Sequence, residues 1–92
     1  MRIEFDNYKD KLFAAALAVD CEEHFLEIVQ QLHDQGYTKI AIYELFLQFH
    51  HEIQIDDRTK DKDFVYDNLS DFMDGFTAWA KGNRILPDEE DV

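Results

Sequence analysis

The sequence predicts an all-α fold: a compact four-helix bundle of short helices, formed by residues 1–92 as one small domain. The chain has only three glycines and one proline, too few for a turn-rich sheet protein. Apolar residues recur at three- and four-residue intervals in four separate segments, which is the helical period. With 92 residues, 46% of them hydrophobic, the chain can form one modest core.

The first helix is predicted over about residues 7–19, with Asp6 or Asn7 as its N-cap. Its apolar face consists of Tyr8, Leu12, Ala15, Ala16 and Val19. The second helix is predicted over about 21–35. Asp20 and Glu23 resemble a capping box at its start, and Gly36 is the expected C-terminal stop. Its apolar stripe consists of Cys21, Phe25, Ile28, Val29 and Leu32.

The third helix is predicted over about 39–53, after Thr38 as N-cap. One side of it consists of Ile42, Leu45, Phe46, Phe49 and Ile53, and the apolar arc is extended by Ile40, Tyr43 and Leu47. A helix that is apolar over more than half its circumference is usually central, with partners on two sides. The charged segment 54–63 follows, and we expect it to be a solvated loop and the most mobile part of the fold.

The fourth helix is predicted over about 64–81, with Asp63 as a plausible N-cap. Its apolar stripe consists of Val65, Leu69, Phe72, Phe76 and Trp79. Gly82 should end this helix, and Ile85 and Leu86 should fold back onto its last turn. Residues 87–92 read as a frayed acidic tail.

Charge is the strongest global signal. Twenty-one acidic residues against nine lysines and arginines give a net charge of −12. Such a field repels nucleic-acid phosphates and anionic lipid surfaces, and it attracts basic partners. We therefore expect a protein partner, with no nucleic acid and no membrane. The single cysteine, Cys21, permits no internal disulfide, and together with an N-terminus that lacks a signal-peptide pattern it favours a cytoplasmic location.

No motif in the sequence predicts catalysis, a cofactor or a metal site. Cys21 and His24 share a helix face, but a structural zinc needs four such ligands and no second pair has matching spacing. His50 and His51 are adjacent and point in different directions, and His50 fits a core histidine with one hydrogen-bond partner. Ser70, the only serine, has no histidine at a telling spacing. We expect no enzyme, while a role for His50 or Cys21 beyond packing stays open.

An acidic ridge is the sharpest local feature. Asp63, Asp67, Asp71 and Asp74 follow one another at intervals of four, four and three residues, so they line up on one helix face. Like charges at that spacing repel by tenths of a kcal/mol. Two readings stay open: a merely solvated face, or a ridge that docks a basic partner. Phe64 and Tyr66 lie beside the ridge and are possible interface aromatics.

The leading functional prediction is a small acidic module that binds a basic protein surface. In size, charge and helical character the chain is similar to the small acidic helical immunity proteins that neutralise bacterial nuclease toxins, although it matches none of their motifs. This similarity implies an immunity- or antitoxin-like role, or one in which the acidic surface mimics nucleic acid. The alternative is a self-associating structural or regulatory subunit, possible as a homodimer, because thirteen aromatic rings are many for so small a core.

Overall fold

Four α-helices make up most of the described part of the chain. The computed structural model describes residues 3–76, with Phe76 described by its backbone alone. In chain order the helices are α1 (Lys9–Leu17), α2 (Cys21–Asp34), α3 (Lys39–Ile53) and α4 (Asp63–Met73), and short 3-10 turns occupy Phe5–Asn7 and Asp74–Phe76. Within residues 3–76 there is no strand, and the predicted all-α helical bundle is confirmed.

The α2–α3 connection agrees with the sequence-based prediction at both of its ends. Gly36 has φ of 99°, a left-handed conformation that side chains rarely adopt. Its N–H donates to the His33 carbonyl at 2.9 Å, and the Tyr37 N–H donates to the Leu32 carbonyl at 3.2 Å. These two bonds define a Schellman motif, which ends α2 as predicted. Thr38 then caps α3, because its hydroxyl accepts from the Ala41 N–H at 3.2 Å.

Two predicted caps are wrong, and a third is right in position but not in its bond. Asp6 and Asn7 lie in the first 3-10 turn, and α1 begins after Tyr8, which makes no side-chain cap bond. Asp20 occupies the N-cap position of α2 as predicted, but its side chain makes no cap bond. Its carboxylate instead pairs with His24 Nε2 at 3.0 Å, one turn further along the helix. At α4 the N-cap position is Lys62, so that Asp63 is the first helical residue.

Phenylalanine rings from all parts of the described chain form the core. Phe49 of α3 contacts Phe13 of α1 edge-to-face, with ring centroids 5.0 Å apart, and Phe25 of α2 at 6.2 Å. Phe72 of α4 joins through Phe25 at 5.1 Å and through Phe46 at 5.4 Å. The predicted apolar stripe of α2 is fully buried, and so is the inward side of α3. One aromatic cluster thus connects all four helices.

Helices α3 and α4 run antiparallel. Phe46 near the middle of α3 meets Phe72 near the end of α4, while His50 further along α3 lies 3.0 Å from Ser70 earlier in α4. This arrangement places the two helices side by side, with their outward faces forming one continuous side of the bundle.

Two predicted core assignments are wrong. Val19 is fully exposed because α1 ends at Leu17, and the helical face that would have carried Val19 inward does not continue. On α3, Ile40 and Leu47 are exposed and Tyr43 is half-buried. Within the described chain, α3 therefore buries one side of its apolar arc and leaves the other side on the surface.

The connection between α3 and α4 has no regular helix, as predicted, but it is not merely solvated. Thr59 is buried, and its hydroxyl donates to the Ile53 carbonyl at 2.8 Å. The Arg58 guanidinium lies 3.9 Å from the centre of the Phe13 ring and 3.0 Å from a carboxylate oxygen of Asp56. Its hydrogen bond lowers the pKa of the Asp56 carboxyl below the usual value. These contacts attach the connection to the end of α3 and to α1.

Several predictions lie outside the described residues. They concern the part of the fourth helix after residue 76, the Phe76 and Trp79 side chains, the stop at Gly82, the apolar pair Ile85 and Leu86, and the acidic tail 87–92. Within residues 3–76 no helix combines the length and the apolar composition needed to cross a bilayer.

Candidate partner-binding surface

The acidic ridge lies on the outer face of α4 and of the turn that follows it. α4 turns Val65, Leu69, Phe72 and Met73 into the core, which directs the opposite face outward. All four ridge residues, Asp63, Asp67, Asp71 and Asp74, are exposed. The structure therefore places the ridge on the outward side where sequence periodicity predicts it, with three of its carboxyl groups on α4 and that of Asp74 on the 3-10 turn that follows.

Three of the ridge carboxylates have no partner in the described chain. Elsewhere, the exposed Asp20 pairs with His24, Asp34 with Gln30 and Asp57 with Lys60, each at 3.0 Å, whereas Asp6 and Asp61 are also without a partner among residues 3–76. Among residues 3–76, Asp63, Asp67 and Asp71 have no hydrogen-bond or ion-pair partner for their side chains. The positive end of the helix favours Asp63, while Asp67 and Asp71 lie progressively further from it.

Exposed aromatic rings flank the ridge on both sides. Phe64 is 51% exposed and Tyr66 is 45% exposed, and their positions on α4 place them at opposite edges of the acidic face. The Tyr66 ring also packs on His50 of α3, with ring centroids 4.7 Å apart. Aromatic side chains are enriched at protein-binding surfaces relative to the rest of the protein surface.

A polar cluster of His50, Ser70 and Gln54 joins α3 to α4 beside the ridge. The Gln54 side-chain nitrogen donates to the His50 carbonyl at 3.0 Å and lies 3.4 Å from His50 Nδ1. The donor and acceptor roles of the two ring nitrogens depend on the tautomer of His50. Burial lowers the pKa of His50 below its ordinary value, which favours the neutral ring.

Ser70 lies against the same ring. His50 Nε2 is 3.0 Å from the Ser70 hydroxyl oxygen, and which of the two groups donates depends on the ring tautomer. The histidine partner of Ser70, which its sequence spacing did not reveal, thus acts as a structural link between two helices.

The other candidate ligands do not converge. Cys21 is buried while His24 is paired with Asp20, so they share a helix face without a common site. Among the described residues, no group of three His, Cys, Asp or Glu side chains could hold a metal ion. An open groove of about 280 Å³ lies between α1 and α2, where Lys11, His24 and Glu27 border an apolar floor of Ala14, Ala15 and Ile28.

Comparisons with protein-family models, with curated proteins and with solved structures found no match for this chain. The function of the protein is therefore inferred from the geometry and charge of the described residues.

Proposed function

We propose that the protein is a small acidic module that binds a basic surface of another protein through its α4 ridge. The observation that supports this most is the alignment of the ridge: Asp63, Asp67 and Asp71 lie in line on one exposed helix face and have no side-chain partners among residues 3–76. Like charges along one helix face cost tenths of a kcal/mol each. Lysine or arginine side chains of a partner would remove that repulsion when they bind.

The chain's net charge of −12 should also raise the rate at which it associates with a basic partner. Complementary charge steers two proteins together and discriminates against wrong partners more than it adds affinity. Phe64 and Tyr66 would supply apolar contact at the edges of the charged patch. An immunity- or antitoxin-like role is the specific form that we favour, with the ridge covering a nucleic-acid-binding face of its partner in the cytoplasm.

The test begins with recovery of a partner from the native host at low and at moderate salt. The recovered basic protein is purified, and its binding to two matched variants is measured. One variant replaces Asp63, Asp67 and Asp71 with asparagine; the control replaces Asp6, Asp34 and Asp57 in the same way, so that both lose three charges. We expect about tenfold or greater weakening for the ridge variant, as for loss of several charged contacts, and much less for the control.

Two outcomes contradict the proposal. If no basic protein is recovered at either salt concentration, the proposed basic partner is excluded. Equal weakening by the ridge variant and its control shows that net charge alone, and not the ridge, governs binding.

The second candidate function is self-association as a structural or regulatory subunit. It is favoured by the exposure of Ile40 and Leu47 on α3 in addition to Phe64 and Tyr66 on α4. Sedimentation at tens of micromolar protein tests it, since a monomer at that concentration excludes a stable dimer. We propose no catalytic activity under either function.

A further inference from the structure

An apolar seam runs along the outward face of α3. It consists of Ile40, Tyr43 and Leu47, at intervals of three and four residues, which places the three side chains in one row. Ile40 is 54% exposed, Leu47 is 45% exposed and Tyr43 is half-buried. The row spans about 10 Å along the helix axis, or two turns. An aligned row of this kind differs from scattered apolar residues, which are normal on any surface.

Acidic side chains lie at the two edges of the α3–α4 side. On the side away from α4, the exposed Glu44 follows Tyr43 directly and points to the flank of the row. Toward α4, the exposed Tyr66 ring packs on His50, one turn along α3 from Leu47, beside the polar cluster of His50, Ser70 and Gln54. The acidic ridge lies beyond Tyr66 on α4. The α3–α4 side of the bundle therefore carries the seam and the Tyr66 ring, with the polar cluster between the helices, one carboxylate at the α3 edge and the ridge at the α4 edge.

We propose that this side docks one basic amphipathic helix of the partner. The seam and Tyr66 contact the apolar stripe of that helix, while lysines or arginines on its two flanks meet Glu44 and the ridge. Helix recognition of this type uses apolar anchors at three- and four-residue intervals, the same spacing as the seam. The inference rests on the proposed function, because it specifies the form of the basic partner and extends its contact from α4 to α3.

Charge complementarity selects this occupant over a second copy of the chain. A second copy has a net charge of −12 and would bring its own Glu44 and ridge against the same carboxylates. A basic helix brings the opposite charge to both edges and apolar side chains to the middle. The surface thus matches the proposed ligand at the seam, at Glu44 and at the ridge.

The test uses two fluorescein-labelled peptides of 18 residues with the same lysine and leucine content. One places leucine at intervals of three and four, and the other distributes the same leucines around the helix. Fluorescence anisotropy measures their binding to the full chain. We expect the amphipathic peptide to bind at least about tenfold more tightly than the scrambled one, because only it buries its leucines on the seam.

Two leucines provide a matched pair of variants. Leu47 in the seam and Leu26 on α2 are exposed to nearly the same degree, 45% and 43%. We expect L47S to weaken binding of the amphipathic peptide about tenfold, the loss of one well-buried leucine contact, and L26S to leave it within about twofold. Circular dichroism of both variants confirms that they fold.

The outcomes separate this inference from the proposed function. Equal binding of the two peptides, with weakening by the asparagine ridge variant, overturns the seam while supporting the ridge. Lack of binding by both peptides overturns the seam, and the host partner then decides the ridge independently. A dimer that L47S converts to a monomer in sedimentation assigns the seam to a second copy and also overturns the inference.

Discussion

Helices α2 and α3 differ in how their apolar side chains are distributed between core and surface. α2 has one stripe, and the bundle buries all of it; its single exposed leucine, Leu26, is isolated. α3 has an equally buried stripe and, in addition, the aligned seam that includes Ile40 and Leu47. The stripe of α2 is accounted for by folding alone. Ile40 and Leu47 of the seam lie outside the core, and the proposed docking of a basic helix depends on this exposed row.

The largest expected effect tests the two faces of α3 against each other. Phe49 is fully buried and its ring contacts Phe5, Phe13 and Phe25, so F49A leaves a large cavity at the centre of the aromatic cluster. We expect it to lower the free energy of unfolding by about 3–5 kcal/mol. L47A should change it by no more than about 0.5 kcal/mol, since that side chain is on the surface. Urea unfolding of both variants measures the difference, and similar costs would mean that the seam is part of the core.

A smaller effect concerns the end of α3. Thr59 donates from a buried hydroxyl to the Ile53 carbonyl at 2.8 Å, so T59V keeps the shape of the side chain but loses the bond. We expect a loss of about 1–2 kcal/mol in the free energy of unfolding, because the carbonyl loses its partner. K60A, at the exposed neighbouring position, serves as the control with a change within about 0.5 kcal/mol. A T59V protein as stable as the parent contradicts the role of Thr59 in holding the connection.

The helix starts provide a third comparison. Thr38 caps α3 through a bond to the Ala41 N–H, whereas Asp20 makes no side-chain cap bond at α2. T38A should therefore cost about 1 kcal/mol. D20A should cost only a few tenths, from the loss of an exposed charge near the helix N-terminus. Thermal or urea unfolding measures both values, and a larger loss for D20A would restore the capping box that the sequence suggests.

The smallest expected effect depends on pH. Burial holds the pKa of His50 below 6.5 in the folded protein, so as pH falls the unfolded chain binds this proton first. The stability that the neutral ring contributes is complete above pH 6.5 and declines as pH falls through that value toward the folded pKa. H50Q, which has no proton to bind, should flatten this part of the pH profile. The H51Q variant is the matched control, since His51 is exposed, and it should retain the slope.

The helices were predictable because the buried face of a helix appears in the sequence as apolar residues at intervals of three and four. The apolar period located α2 and α3 to within a residue, and Gly36 and Thr38 marked the boundary between them by backbone chemistry that acts within a few residues. The outward ridge followed from the same period. Such features depend on neighbours along one helix, which a sequence displays directly.

The features that could not be predicted depend on contacts between residues that are distant in sequence. Nothing near Ser70 indicates His50, twenty residues earlier, because the antiparallel packing of α3 on α4 creates that pair. Likewise, the width of the apolar arc on α3 could not show which part would be covered. Its extension through Ile40, Tyr43 and Leu47 was visible, but its exposure depends on the number of helices that pack around α3. The spacing of three and four residues was the available signal that these side chains form a second aligned row.

The Arg58 contacts also determine how the molecule should respond to trypsin. The α3–α4 connection contains three basic residues, Arg58, Lys60 and Lys62, and its composition suggests an easily cleaved site. Its backbone is instead closed into turns, with the Lys60 N–H on the Asp56 carbonyl at 2.8 Å and the Lys62 N–H on the Thr59 carbonyl at 2.9 Å. A protease requires extended chain, so cleavage must wait until the Arg58 guanidinium leaves the Phe13 ring and the turns open. The rate of trypsin cleavage in this connection therefore measures the rate at which the connection opens locally, while the rest of the bundle stays folded.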